Sequence, residues 1–328
     1  MRNSGFTIIE LMIASTILVI VLVFTMQIFT VNNRAYVKID SVVDTQQSAR
    51  AISSIFERDL RHAGMMVPEA AALCGVDNTG DPDLLYISDH TAINPVDAIG
   101  AFDGGLVQGT VSQVNVSPTR TTLNLDTLVM EPDTPDPSYD TDGNGVNDSD
   151  FRQNGGVIVT DTMDPSRGSA CGIVTNVNLA TPSITVVIKT GALGNVAGAY
   201  ALTAVPALEY RIDSNKLYRN NLILADGVED LQLAYFLDSN GNHALDVGEL
   251  YGISGNNYVA KTSDARDLRA VRFNVVTRTR SEDDRFTQGF IQPRENRVVG
   301  GATQDGYRRR VHTAIVRMRN IGDRVNGT

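Results

Sequence analysis

The sequence predicts an α+β protein in which a long N-terminal helix, first transmembrane and then amphipathic, packs on an antiparallel β-sheet head. Three observations carry this reading. Residues 6–63 contain neither proline nor glycine. Within them an apolar run gives way to apolar residues recurring at three- and four-residue spacing, the period of a helix with one buried face. After Gly64 the pattern changes to short alternating runs separated by Gly, Pro, Asn and Asp, as in antiparallel strands joined by turns. With 328 residues, 42% of them hydrophobic, the chain is long enough to bury a sizeable core.

The apolar run comes first. From Leu11 to Asn33 no residue is charged, which as helix is roughly 34 Å, enough for the roughly 30 Å of a bilayer core. A removable secretory signal would have a short apolar core followed by a small-residue cleavage site. This run is longer and shows no such site, so residues 6–33 are read as a retained transmembrane helix. Arg2 on the short flank and the long acidic body beyond favour a cytoplasmic N-terminus and an exported C-terminal body. Glu10 stands out because an acidic residue at the centre of a membrane helix costs about 2.5 to 3.5 kcal/mol, and less near its end.

Residues 34–64 continue the same helix in amphipathic form. Ile39, Val42, Val43, Ala49, Ile52, Ile55, Phe56, Leu60 and Ala63 make one face, and Asp40, Asp44, Gln47, Arg50, Glu57 and Arg61 the other. Gly64 and Pro68 supply the stop signals. A continuous helix from Phe6 to Ala63 would be roughly 87 Å long.

Residues 65–328 form the head. Its clearest strand candidates are TTLNLDTLVM, GVIVT, SITVVIK, LQLAYFL, LRAVRFNVVTRT and RRRVHTAIVRMRN. In residues 268–279, Val271, Phe273 and Val275 fall on one face and Arg272, Asn274 and Arg278 on the other, which predicts one buried and one wet face.

Charge is unevenly distributed. The net charge of −10 resolves into +1 over residues 1–64, −18 over 65–265 and +7 over 266–328. The split reads as solvated surface or as contact between neighbouring subunits of an assembly. Nucleic-acid binding is not expected, because the arginines near the C-terminus have no aromatic platform beside them and the chain is acidic. The four histidines, His62, His90, His243 and His312, are scattered, and no nucleophile or phosphate-loop motif occurs, so nothing points to an enzyme. Cys74 and Cys171 are the only cysteines. In an exported head they read as one disulfide closing a long loop; in a cytosolic protein they would be two buried thiols.

Two stretches are candidate calcium loops, the sole cofactor the sequence suggests. DSNGNHALDVGE places Asp238, Asn240, Asn242, Asp246 and Glu249 at positions 1, 3, 5, 9 and 12 of a calcium register, with His243 where the motif asks for glycine. DTDGNGVND places Asp140, Asp142, Asn144 and Asp148 at positions 1, 3, 5 and 9, without the acid at position 12, and is the weaker. The same residues also favour metal-free turns, so both readings stand.

Gly5-Phe6-Thr7-Ile8 followed by Ile9-Glu10-Leu11 resembles the class III leader of type IV prepilins and type II secretion pseudopilins. The resemblance implies a five-residue leader, 1–5, cut after Gly5 by prepilin peptidase, with methylation of the new N-terminus at Phe6. It implies that Glu10 meets the N-terminal amine of a neighbouring subunit. Many major pilins carry a proline and a glycine that bend the long helix, and neither is present here. ARAISSIFERDLRHAGMM, LEYRIDSNKLYRN, ADGVEDLQLAYFLD and YRRRVHTAIVRMRN resemble PilW-type minor pilins. From this follows the expectation of a pilin-like minor subunit of the bacterial inner membrane with a periplasmic head, which helps prime pilus assembly and sits at or near the tip. Its expected partners are other minor and major pilins, prepilin peptidase, the inner-membrane assembly platform and the membrane itself. The alternatives are a J-type pseudopilin of a type II secretion system and a pilus-tip adhesin.

Overall fold

The computed structural model describes residues 7–65, 67–89, 109–117, 120–125, 151–161, 168–181, 183–189, 202–260, 263–287, 294–298 and 304–321, with a few single positions between them. A single helix, α1, runs over Ile8–His62 without a break. It ends where the sequence predicts: Gly64 takes φ +78°, a conformation that costs glycine little. Asn320 donates from its side-chain amide to the carbonyls of Arg61, His62 and Ala63 at 3.3 Å each, so a residue from the far end of the chain caps the open end of the helix.

The head is antiparallel throughout its described strands and is built from two sheets. The first contains β1 (Leu73–Val76), β2 (Leu84–Ile87), β3 (Gly109–Ser117), β4 (Arg120–Leu125), β5 (Gly156–Asp161), β6 (Ser169–Asn178), β7 (Ser183–Ile188), β8 (Leu202–Asp213), β9 (Lys216–Arg219) and β10 (Leu222–Asp226). The second has the order β12–β11–β13–β14, from β11 (Val228–Leu237), β12 (Leu250–Tyr251), β13 (Leu268–Arg278) and β14 (Arg309–Arg317).

The long strand β8 belongs to two structures at once. In its first half Thr203 pairs with Thr110 of β3 on one side and Thr160 of β5 on the other. The circuit β8–β3–β4–β7–β6–β5 returns to β8, closing a six-stranded antiparallel barrel. Closure leaves those strands no free edge. In its second half β8 pairs with β2 and β9 instead, forming the open sheet against which α1 ends.

The helix joins the two sheets. Phe56, fully buried, lies between Tyr210 of β8 and Phe273 of β13, with ring centroids 4.4 and 5.5 Å away. Ala49, Ile52 and Leu60 extend this buried stripe along α1 at helical spacing. Polar pins fix its rotation. Asp59, buried in the last turn, accepts from the Tyr210 hydroxyl, lies 2.9 Å from an Arg219 guanidinium nitrogen, and accepts from Arg58 Nε at 2.9 Å. Ser53 and His312 of β14 hydrogen-bond at 2.8 Å.

On β13 the predicted buried face is present, but the predicted wet face is covered. Asn274 is buried, and Glu295 accepts from its amide at 2.7 Å and from Arg272 Nε at 2.8 Å, so residues 294–298 lie over that face. The arginines of the C-terminal region are largely answered within the head. Arg309 bonds both Glu229 and Asp305, and Arg308 bonds Asp283. Arg309–Glu229, Arg278–Glu229, Arg269–Asp238 and Arg297–Asp230 join the basic end to the acidic middle within one subunit.

At Gly75 of β1 the packing has no room for a side chain. A β-carbon there would stand 1.9 Å from the hydroxyl oxygen of Tyr235, whose buried ring stacks on Tyr258 at 3.9 Å. Gly75→Ala should therefore destabilise the head by about 1 to 3 kcal/mol, the usual consequence of overpacking. The second change Tyr235→Phe, which removes the nearest atom, should recover part of that loss in thermal unfolding. An unaltered Tm for Gly75→Ala would show that the ring retreats freely.

Candidate assembly site and anchor

The helix start is built by its own sequence. Thr7 is the N-cap, and with Glu10 it makes a reciprocal capping box. Glu10 Oε2 accepts the Thr7 backbone N–H at 2.9 Å and the Thr7 hydroxyl at 2.8 Å, while the Glu10 N–H donates to Thr7 Oγ1 at 3.3 Å. Gly5 and Phe6, the residues of the expected cleavage point, lie outside the described residues.

From Thr7 to Val37 every residue is exposed, and Ile8 to Val31 include the largest uninterrupted set of exposed apolar side chains among the described residues. This helix is long and apolar enough to cross a membrane. The head takes hold at Lys38, whose ammonium bonds Asp283 in the segment after β13. Arg308 donates to the same carboxylate at 3.0 Å. Lys38 first, and Arg308 with it, hold the Asp283 carboxyl far below the usual range.

The first calcium candidate does come together, but as a turn closed by its own donors. Asp238 Oδ1 accepts the Asn242 N–H at 3.0 Å, and Oδ2 accepts from the His243 N–H at 3.0 Å and Arg269 Nε at 3.1 Å. Burial opposes the charge on Asp238, yet the His243 amide and the Arg269 guanidinium outweigh it and hold the carboxyl below its ordinary range. Asn240 and Asn242 use their side-chain oxygens to accept backbone N–H groups two residues on, at 2.9 and 2.7 Å. Asp246 accepts from the Asn242 amide at 2.8 Å, and Glu249 Oε1 from the Ser239 N–H, the Ser239 hydroxyl and the Asn240 N–H at 2.9, 2.8 and 3.1 Å. His243 adopts the left-handed conformation, φ +57°, at the position where the motif asks for glycine.

Among the described residues no group of three or more His, Cys, Asp or Glu side chains is placed to hold a metal ion. Calcium is not supported by this arrangement, whose acceptors take up the loop's own amides as Asx-rich turns do. The weaker candidate, Asp140, Asp142, Asn144 and Asp148, lies outside the described residues.

Cys74 of β1 and Cys171 of β6 are joined in a disulfide, fully buried, which ties the open sheet to the barrel. Sequence reading named both cysteines and Glu10 but passed over Thr7 and the Lys38–Asp283 contact. The T-x-x-E spacing was a visible signal for the first. Nothing local marks the second, whose partners are 245 residues apart.

A long, exposed, apolar N-terminal helix packed at its far end on an antiparallel head is the architecture of a pilin-like protein. Residues 1–26 match the prokaryotic N-terminal methylation motif, and residues 192–320 match the family described as Type IV Pilus-assembly protein W. The two matches support a type IV pilin-like protein, with the likeness to PilW confined to residues 192–320. The PilW match runs through β8 to β14 and so covers the second sheet and the strand shared with the barrel. No curated protein matches the chain. Among solved structures, a type IV-like pilin from Thermus thermophilus aligns at 13% identity over 50% of this chain and 84% of that one, with a TM-score of 0.23. The pilin family and fold are those of structural, non-enzymatic proteins.

Proposed function

We propose that the protein is a minor pilin that helps prime type IV pilus assembly and resides at or near the tip. Prepilin peptidase removes residues 1–5 after Gly5, Phe6 is methylated, residues 6–33 hold the subunit in the inner membrane, and residues 34–64 carry the periplasmic head of residues 65–328. On extraction, α1 enters the filament with Glu10 opposite the terminal amine of a neighbouring pilin. The observation that carries this reading is the pairing of an N-terminal methylation motif with a PilW region in one chain. The exposed apolar helix supports it, since an apolar surface of that size needs either lipid or neighbouring helices around it.

The test is mass spectrometry of the N-terminal peptide from two fractions, sheared surface filaments and washed membranes. A methylated peptide beginning at Phe6 is expected in both. Its confinement to membranes, together with a secretion defect on loss of the protein, would move the assignment to a pseudopilin. An intact Met1 terminus in both fractions would overturn the processing itself.

A further inference from the structure

Strand β14 has one paired edge and one open edge. It pairs with β13 from Arg309, opposite Arg278, to Arg317, opposite Ala270, without a register shift, and among the described residues no strand lies on its other side. The Met318 N–H donates to the Arg269 carbonyl at 2.9 Å and the Thr279 N–H to the Arg308 carbonyl at 3.0 Å, so the even-numbered residues of β14 spend their backbone groups on β13. Val311, Thr313 and Ile315 therefore turn theirs outward. An open edge of nine residues is a template for a further strand, and proteins usually shorten or bulge such an edge. Here there is no bulge, and Ile315 is 51% exposed. The charge along it is of one sign: residues 306–322 carry five arginines and no acidic residue. Arg308 and Arg309 are answered by Asp283, Glu229 and Asp305. Arg310, Arg317 and Arg319 are exposed and take no ion pair among the described residues.

We propose that the open edge of β14 is a docking site for an extended acidic segment of a partner protein, which adds to the second sheet as a strand beyond β14. The backbone groups of Val311, Thr313 and Ile315 supply the attachment, and the three unanswered arginines select the charge. Opposite charges side by side on neighbouring strands are favourable and like charges are not. The arginines that attract an acidic strand therefore disfavour two copies of β14 joining edge to edge. The site belongs to the head and does not depend on the role given to α1 in assembly.

The experiment uses the full chain in detergent micelles and, as probe, a blocked peptide as long as β14 in which threonine alternates with glutamate. Its binding should slow hydrogen exchange at the Val311, Thr313 and Ile315 amides. The triple change Arg310→Glu, Arg317→Glu and Arg319→Glu should weaken it by at least about tenfold, the sum that three cross-strand charge pairs give. The same variant should take up the lysine counterpart of the peptide, which the native chain does not, and this exchange of preference also shows that the variant is folded. A glutamate peptide N-methylated at every residue keeps the charge and loses every donor, and the native chain should not bind it. Equal binding of the methylated peptide would show attraction by charge alone, and equal binding of the lysine peptide an edge without charge preference. No slowing of exchange at millimolar glutamate peptide would show an edge that its arginines keep closed. Each of these three results overturns the proposal.

Discussion

Removing the Cys74–Cys171 disulfide should destabilise the head by about 4 to 5 kcal/mol, the chain-entropy value for closing a loop of about 100 residues. The two cysteines are 97 residues apart in sequence, and their Cα atoms are 6.1 Å apart in the fold. Between them lies much of the barrel, so in the unfolded chain the bond suppresses a large set of open conformations. In the folded chain it ties β1, whose neighbour is β2, to β6 of the barrel. The variant to use is the double change Cys74→Ala and Cys171→Ala. Serine would bury a hydroxyl at two sites that are fully enclosed and add about 1 to 3 kcal/mol for each unmet group. Urea unfolding of the full chain in detergent micelles reads the effect as a lowered midpoint, and reductant added to the native chain should lower it by a similar amount. A double variant within 1 kcal/mol of the native chain, or free thiols found on denaturing the native protein, would remove the disulfide from the account.

What could be read in the sequence depended on how local the cause was. The helix was legible because nothing between Phe6 and Ala63 interrupts it, and Gly64 has the left-handed conformation a helix end favours. Strand β13 was legible because Val271, Phe273 and Val275 alternate against polar neighbours. The barrel was not. Its closing strand, β8, carries Pro206, which argues against a central strand, yet Pro206 sits opposite Val157 and its carbonyl accepts from the Ser88 hydroxyl at 2.7 Å. Gly156, at the start of the predicted strand GVIVT, and Gly172 are strand residues at close approaches that the pattern does not announce: a β-carbon would stand 2.7 Å from the Ala207 carbonyl oxygen in one case and 2.2 Å from that of Val187 in the other. The loop around Asp238 was ambiguous for a chemical reason. Acceptors spaced to surround a cation are also spaced to accept the amides of a tight turn, and only the position of Arg269 and of the loop's own N–H groups distinguishes the two. The covered face of β13 depended on Glu295, which sequence pattern does not bring near Arg272.

Gly5→Val and Glu10→Val should both empty the filaments of this protein, for different reasons that two measurements separate. Under the proposed assignment Gly5 precedes the cut bond, and a branched residue there leaves the chain at full length with its Met1 terminus, held in membranes. Glu10→Val should be cut normally, since the change lies five residues beyond the bond. Its effect falls on two states with opposite sign. In the membrane the substitution removes an acidic group from an apolar helix, so anchoring is at least as favourable as before. In the filament it leaves the neighbour's amine in an apolar setting without its counter-charge, and breaking one side of such a pair costs about 3 to 5 kcal/mol. That corresponds to more than about a hundredfold in the partition between membrane and filament. Loss of anchoring cannot imitate this outcome, because it would deplete the membrane fraction that the substitution is expected to leave full. A Glu10→Val chain that is cut, retained in membranes and absent from filaments therefore identifies the carboxylate as an assembly contact, and the same chain found in filaments at native abundance refutes it.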